Sequence, residues 1–354
     1  MRPTRITIGG VTYESPRLPR PEEAPEGSFL RDLYAFLEEW QDDADTVLVH
    51  TSGSTGTPKP LRAEKARMTA SARLTCRFLG LRPGDTALLC MPLRYIAGKM
   101  VVVRALTAGL NLLPVTPSGH PFETLEQAPV FAALIPMQVY NSLQVPRERE
   151  LLRQVRHLII GGGAIDASLG EALRPFPHAV WSTYGMTETL SHIALRRLNG
   201  PEASDWYTPF DNVQVRLTEE DTLLIHAPEV CPVPLRTNDI ARLDARGRFR
   251  ILGRKDNVIN SGGVKIQIEQ VEAALSGHLP VPFYITSTPH PKFGELVTLL
   301  AQDDGQHTSD SLLALCKPLL PPYWQPRRCV LVSRLPQTGT GKPDRAEARR
   351  MAAG

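Results

Sequence analysis

Thr51-Ser52-Gly53-Ser54-Thr55-Gly56-Thr57-Pro58-Lys59 is the stretch on which the chain turns. The run before it, Thr46-Val47-Leu48-Val49-His50, is β-branched and apolar and predicts a buried strand. After it, Ala63 to Phe78 reads as a helix with Met68, Ala72, Cys76 and Leu79 on one face and Gly80 as its C-terminal stop. A strand, a loop of Gly, Ser and Thr, and a helix together present backbone N–H groups to phosphate oxygens. The glycines let the main chain come close, the hydroxyls add donors, and Lys59 adds a point charge. It is not a Walker loop, because with Gly53 as the first glycine the second falls on Pro58. Taken as residue types alone, a solvated turn is the other reading.

At 354 residues the chain is long enough for a sizeable core and two domains. A net charge of +3 with 22% charged residues, and no long basic run, gives no reason to expect nucleic acid or an anionic membrane. The five cysteines are scattered and never in a C-x-x-C arrangement, which suits small core residues of a reduced compartment. Met1 to Ile6 has no apolar signal-like core and no long apolar run follows, so the expectation is a cytoplasmic protein without a membrane span.

Residues 1–45 read as an entry segment, in which Pro16 to Gly27 is rich in Pro and Glu and is expected on the surface, and Phe29 to Trp40 reads as an amphipathic helix through Phe29, Leu33, Phe36, Leu37 and Trp40. From Thr46 to Thr183 short apolar strands alternate with helical stretches: Thr86–Cys90, Asn111–Val115, Val130–Ile135, Arg156–Ile160 and Ala179–Thr183. That alternation predicts a parallel sheet with helices on both faces, whose ligands sit at the carboxyl ends of the strands. The 51–59 loop, Met91–Gly98, Gly161–Ala164 and Tyr184–Glu188 would then line one edge. Beyond residue 195 the pattern becomes β-rich, with hairpins Val213–Leu217/Leu223–His226 and Ile240–Leu243/Arg248–Leu252. From Asp256 a small α+β unit follows, with helices Ile266–Leu275 and Ser311–Leu320 and strands near Val281–Thr286 and Leu296–Ala301. The expected domains are 1–255 and 256–354.

The nonapeptide resembles the phosphate loop of the adenylate-forming superfamily, which includes acyl-CoA synthetases, peptide-synthetase adenylation domains and luciferases. The resemblance extends in family order to the end of the chain. Tyr184-Gly185-Met186-Thr187-Glu188 is similar to a second motif, and implies an aromatic ring on adenine, Thr187 on phosphate and Glu188 on Mg2+. A divalent cation held by ATP needs only one or two protein carboxylates. Glu188 alone would equally fit an exposed carboxylate at a helix start. Gly161-Gly162-Gly163-Ala164 resembles the element that walls the acyl and adenine pocket, though three glycines also make a tight turn; Asp166 reads as a helix cap.

Thr237-Asn238-Asp239 resembles Thr-Gly-Asp, whose aspartate accepts from both ribose hydroxyls; Asn tolerates positive φ, so the turn is expected to persist. Gly253-Arg254-Lys255-Asp256-Asn257 with Ser261-Gly262-Gly263 is similar to the domain junction. It implies Arg254 on the nucleotide, Asp256 as hinge, and Gly262 and Gly263 as bare backbone under the pantetheine arm of coenzyme A. Leu335-Pro336-Gln337-Thr338-Gly339-Thr340-Gly341-Lys342 resembles the last motif, with Lys342 as the catalytic lysine. The residues implied for ATP are thus Thr51, Ser52, Gly53, Ser54, Thr55, Gly56, Lys59, Gly162, Gly163, Tyr184, Gly185, Asp239 and Arg254, with Lys342, Glu188 and Thr187 catalytic.

Family members have well over a hundred residues before the phosphate loop and this chain has 50, so the amino-terminal subdomain is expected to be shortened. Met91-Pro92-Leu93-Arg94-Tyr95-Ile96-Ala97-Gly98-Lys99 and Tyr184–Ile193 look most like o-succinylbenzoate–CoA ligases of menaquinone synthesis. Arg94-Tyr95 stands where an aromatic-His pair is usual. The resemblance implies the adenylate-forming α/β fold, with a large amino-terminal domain and a small mobile carboxyl-terminal one. It further implies an enzyme that uses ATP, Mg2+ and coenzyme A to ligate a small carboxylate. Lys99, Tyr95 and His192 are assigned to the acyl side, with Lys99 reading the second carboxylate and Arg104 a structural ion-pair residue. Two alternatives stay open: a ligase for another aromatic or carrier-bound acid, and a degenerate nucleotide-binding module. The sequence does not set the oligomeric state.

Overall fold

The computed structural model describes residues 5–50, 60–163, 165–338 and 343–354, so residues 51–59, Ala164 and the 339–342 segment with Lys342 lie outside the described part. The chain opens with β1 (Arg5–Ile8) and β2 (Val11–Glu14), an antiparallel pair that the sequence did not announce. Helix α1 (Phe29–Gln41) follows, capped by the Ser28 hydroxyl at 3.3 Å from Arg31 N, and buries the stripe Phe29, Leu33, Phe36, Leu37 and Trp40 as expected.

The first correction concerns the decisive stretch. β3 (Thr46–His50) is a strand, but it pairs antiparallel with β4 (Pro60–Glu64) in a two-stranded sheet of its own. The loop therefore joins two strands, and β4 intervenes before α2 (Lys65–Leu79). β3 is also only half-buried: Val47 and Val49 are fully covered while Leu48 between them is 42% exposed. An apolar run does not distinguish these cases, because alternate side chains of a strand face opposite ways whatever their polarity. Gly80 ends α2 in the left-handed region at φ 67°.

The alternating part follows as β5 (Thr86–Leu89), α3 (Ile96–Ala108), β6 (Asn111–Pro114), β7 (Phe131–Leu134), α4 (Pro136–Gln144), α5 (Pro146–Gln154), β8 (His157–Ile160), α6 (Ala167–Leu173) and β9 (Ala179–Gly185). β10 (His192–Arg197) and β11 (Thr208–Pro209) then turn back antiparallel. Among the described residues they form a nine-stranded sheet of order β11-β10-β9-β8-β7-β5-β6-β1-β2, parallel from β9 through to β1. The strands are apolar on both sides. Ala87, Leu89, Phe131, Ala133 and Ile159 enter one core with α1, α2 and α3. Leu88, Ala132, Leu134, Leu158 and Ile160 enter another with α4, α5 and α6. Period-two alternation into two cores is what a sheet covered on both faces requires.

A four-stranded antiparallel sheet comes next: β12 (Gln214–Leu217), β13 (Thr222–His226), β14 (Leu235–Leu243) and β15 (Phe249–Arg254). Both expected hairpins are in it. Thr237-Asn238-Asp239 is not a turn, however, but extended backbone inside β14. Asn238 is not among the positive-φ residues, so this position makes no demand that only Gly or Asn could meet. The last sheet holds β16 (Val258–Ser261), β17 (Val264–Gln267), β18 (Phe283–His290), β19 (Gly294–Gln302) and β20 (Arg328–Val332). It packs with α7 (Ile268–Leu275) and α8 (Ser309–Cys316) around Ile266, Val271, Leu275, Leu299, Leu312 and Cys316, while α9 (Arg345–Ala353) lies against β18 and β19. No helix among the described residues is long and apolar enough to cross a membrane.

Candidate active site

Strands β5, β8 and β9 end on the same side of the parallel sheet, and their carboxyl ends deliver Met91–Gly98, Gly161–Gly163 and Tyr184–Glu188 as expected. The end of β8 lies close against β9, where a methyl group on Gly161 would meet Thr183 Oγ1 at 2.4 Å; the Met91–Gly98 loop is itself tight, and a methyl on Gly98 would meet the Pro92 carbonyl at 2.6 Å.

Tyr184 closes β9 with its ring edge-on to Phe249 at 5.0 Å and its hydroxyl donating to Asp239 Oδ2 at 2.5 Å. Burial, and then the Asp239 carboxylate, pushes that phenol far above its ordinary value, so it remains a donor. Asp239 lies on β14 directly opposite Arg254 of β15, whose Nη1 is 3.3 Å from Asp239 Oδ1. Arg254 Nη2 donates to Asp256 Oδ2 at 2.9 Å, and Asn238 Nδ2 is 3.1 Å from both oxygens of Asp256. The Arg254 bond, followed by that from Asn238, holds the Asp256 carboxyl below its ordinary range. The structure thus joins four residues singled out by sequence, Tyr184, Asp239, Arg254 and Asp256, in one hydrogen-bonded network, and adds Asn238.

Thr187 and Glu188 occupy a single 3-10 turn after β9. Thr187 is buried; Glu188 is exposed and, among the described residues, has no ion-pair partner. One exposed carboxylate fits a magnesium ion that takes its other oxygens from phosphate and water, and no described cluster of three or more ligand-type side chains offers a self-contained metal cage. The 184–192 turn is tight. A methyl on Gly185 would sit 2.3 Å from the Ser191 carbonyl, and Leu190 takes φ 64°, a conformation costly for a side chain with a Cβ. Gly262 (φ 58°) and Gly263 (φ 84°) make the exposed β16–β17 turn, where positive φ favours glycine. The phosphate loop and Lys342 lie outside the described residues.

The acyl-side assignment needs a correction. Lys99 was expected to face the pocket as a free cation. It is buried instead, with Nζ 2.6 Å from Glu39 Oε2 and 4.7 Å from the Phe36 ring centroid. Glu39 also accepts from Leu48 N at 3.0 Å, so the pair ties α1, α3 and β3 together. Tyr95 precedes α3, half-buried, with the Arg94 guanidinium 4.8 Å from its ring.

Arg104, read from sequence as the ion-pair residue, is 2% exposed and has no carboxylate within ion-pair distance among the described residues. Its Nη2 donates to Ser191 Oγ at 2.7 Å, and its Nε is buried without a partner among the described residues. Burial lowers its pKa to about 10, which leaves it charged at neutral pH. Cys76 beside it supplies no counter-charge, since burial pushes that thiol up to about 11. The signal for Arg104 was in the sequence: it is the lone charge in the apolar run Met100-Val101-Val102-Val103-Arg104-Ala105-Leu106. His192 lies beside it, buried between Thr75 and Ser191.

A sequence model described as AMP-binding enzyme matches residues 10–230, more than half of the chain. The chain belongs to that family. A probable 2-succinylbenzoate–CoA ligase of Mycobacterium tuberculosis is 30% identical over 341 residues, covering 88% of this chain and 86% of the relative. A 2-succinylbenzoate–CoA ligase of Bacillus cereus is 25% identical over 344 residues, covering 89% and 71%. Among solved structures, an acyl-CoA synthetase (AMP-forming)/AMP-acid ligase II-like protein of Dyadobacter fermentans superposes with TM-score 0.64 at 30% identity, covering 93% of this chain and 96% of that one. The o-succinylbenzoate coenzyme A synthetase of Bacillus subtilis, in complex with ATP and magnesium, superposes with TM-score 0.72 at 22% identity, over 87% and 70%. The AMP-binding family match spans the parallel sheet and the 184–188 turn, and the degenerate-module alternative loses its support.

Proposed function

We propose that the chain is an ATP-dependent acid–CoA ligase whose acid is an aromatic carboxylate carrying a second carboxylate, with o-succinylbenzoate as the best candidate. The observation that carries the substrate class is Arg104. A guanidinium buried without a carboxylate is costly, and an incoming anionic group removes that cost. Arg104 reaches Ser191, and Ser191 packs against Gly185 of the turn assigned to nucleotide binding. A dianionic acid placed between them would have one carboxylate held by Arg104 and the other free to react. The names of the similar ligases point to the same acid.

In the first half-reaction an oxygen of the free carboxylate attacks the α-phosphorus of ATP and pyrophosphate leaves. In the second, the sulfur of coenzyme A attacks the acyl carbonyl and AMP leaves with that oxygen. Asp239 would accept from the ribose hydroxyls in place of its bonds to Tyr184 and Arg254, and Tyr184 would flank the base. Magnesium on Glu188 would neutralise phosphate charge, and Lys342 would do the same at the α-phosphate. The division at residues 255 and 256, with Asp256 as hinge, belongs to this reading. So do the passage of the pantetheine arm over Gly262 and Gly263 and a cytoplasmic location.

The test is a pyrophosphate-release screen over a panel of carboxylates, with and without coenzyme A. The expected result is highest kcat/KM for o-succinylbenzoate and a thioester product only when coenzyme A is present. Equal or better turnover of benzoylpropionate, which lacks the ring carboxylate, contradicts the substrate reading.

A further inference from the structure

The group that holds Arg104 is itself held by a chain of hydrogen bonds that the reaction does not use. Ser191 Oγ receives Arg104 Nη2 at 2.7 Å and lies 3.2 Å from His192 Nδ1. His192 Nε2 lies 3.0 Å from Thr75 Oγ1, which is 3.3 Å from the Ser71 carbonyl one turn back on α2. The direction of each bond follows from counting protons. The Ser71 carbonyl can only accept, so it takes the Thr75 proton, and the Thr75 oxygen is left to accept Nε2–H of His192. Nδ1 is then bare and accepts the Ser191 hydroxyl, whose oxygen is in turn open to Arg104. The opposite tautomer would make Ser191 accept from both sides, with its own proton given to no described acceptor. A doubly protonated ring would add a charge beside Arg104, and burial together with that arginine keeps His192 neutral.

We infer that Thr75, His192 and Ser191 form a relay that fixes the direction of the Arg104 guanidinium, so that His192 is a positioning residue acting through Ser191 and not a contact to the acid. The relay rests on the reading of Arg104 as the residue that takes the second carboxylate. It joins α2, β10 and α3, three elements brought together only by the fold. The ring of His192 is also packed edge-on to Phe210 at 5.5 Å, which fixes its plane. With the imidazole held at both nitrogens and packed against Phe210, Ser191 has one orientation, and Arg104 meets the acid without first reorganising.

Selectivity for o-succinylbenzoate over benzoylpropionate, as the ratio of KM values, reads the relay apart from general damage. His192→Phe keeps the ring and its packing and removes both nitrogens; Ser191→Ala removes the mediator. Each is expected to lower that selectivity about tenfold, the scale of a weakened charged hydrogen bond, without altering the KM for ATP. His192→Asn, whose amide oxygen can sit where Nδ1 sits, is expected to restore most of it. Nitrogen NMR of the wild-type protein should show His192 with Nε2 protonated and Nδ1 bare. Equal loss on both acids, no rescue by Asn, or a protonated Nδ1 overturns the relay. Arg104→Leu separates the two levels. If it leaves selectivity unchanged, the substrate reading fails; if it abolishes selectivity while His192→Phe and Ser191→Ala are silent, only the relay fails.

Discussion

Lys99 and Arg104 stand five residues apart on α3, both almost fully buried, and differ in one respect: Lys99 has Glu39 at 2.6 Å, while Arg104 has a serine hydroxyl and, among the described residues, no partner for Nε. A paired cation is a structural tie, whereas an unpaired buried one is paid for only if something else uses it. Lys99→Ala is therefore expected to lower stability by about 2–4 kcal/mol in denaturant unfolding, through the lost pair and the emptied volume, and to change the KM of both acids alike. Arg104→Lys keeps a charge but loses the planar fork, and is expected to raise the KM for o-succinylbenzoate roughly tenfold in steady-state kinetics. The sequence showed both cations and could not rank them, because the deciding partner, Glu39, comes from α1, sixty residues earlier. Asn238 teaches the same lesson. Its residue type suggested a positive-φ turn, yet the structure uses it as a donor to Asp256 from an ordinary strand.

Elements defined by local chemistry were legible. The stripe of α1, the Gly80 stop of α2, the Asp166 cap of α6 and the parallel strands all follow from period, capping and apolar runs within a few residues. Pairing was not legible: β3 and β4 form a separate antiparallel sheet, and β1 joins β6 across a hundred residues, because a strand's partner is chosen by the fold. The junction of β9 and β10 illustrates how tightly such choices bind. There Gly185 faces His192 across the ladder, with the Ser191 carbonyl in the space a side chain would take. Gly185→Ala is expected to force that backbone apart, costing about 1–3 kcal/mol by calorimetry or denaturation and lowering adenylate formation more than the φ-neutral change Gly170→Ala in α6, where nothing lies within 4 Å.

At the scale of the whole molecule, the hydrophobic clusters divide near the proposed hinge: every buried member of the first two lies at or before Phe249, and every buried member of the last two at or after Ile259. Between them the Asp256 carboxylate accepts from Arg254 and Asn238, so the proposed pivot is tied to β14 and β15. Asp256→Pro fixes φ at the hinge and removes the carboxylate, and is expected to slow one half-reaction far more than the other in rapid-quench assays; equal rates for both would place the hinge elsewhere. The central claim is that activation passes through an acyl-adenylate, and the fate of one oxygen tests it most directly. o-Succinylbenzoate labelled with oxygen-18 in both carboxylates is turned over with ATP and coenzyme A, and the phosphorus products are weighed by mass spectrometry. The expected result is a single labelled oxygen in AMP and none in pyrophosphate; label in inorganic phosphate, or thioester formed with unlabelled AMP, contradicts the adenylate.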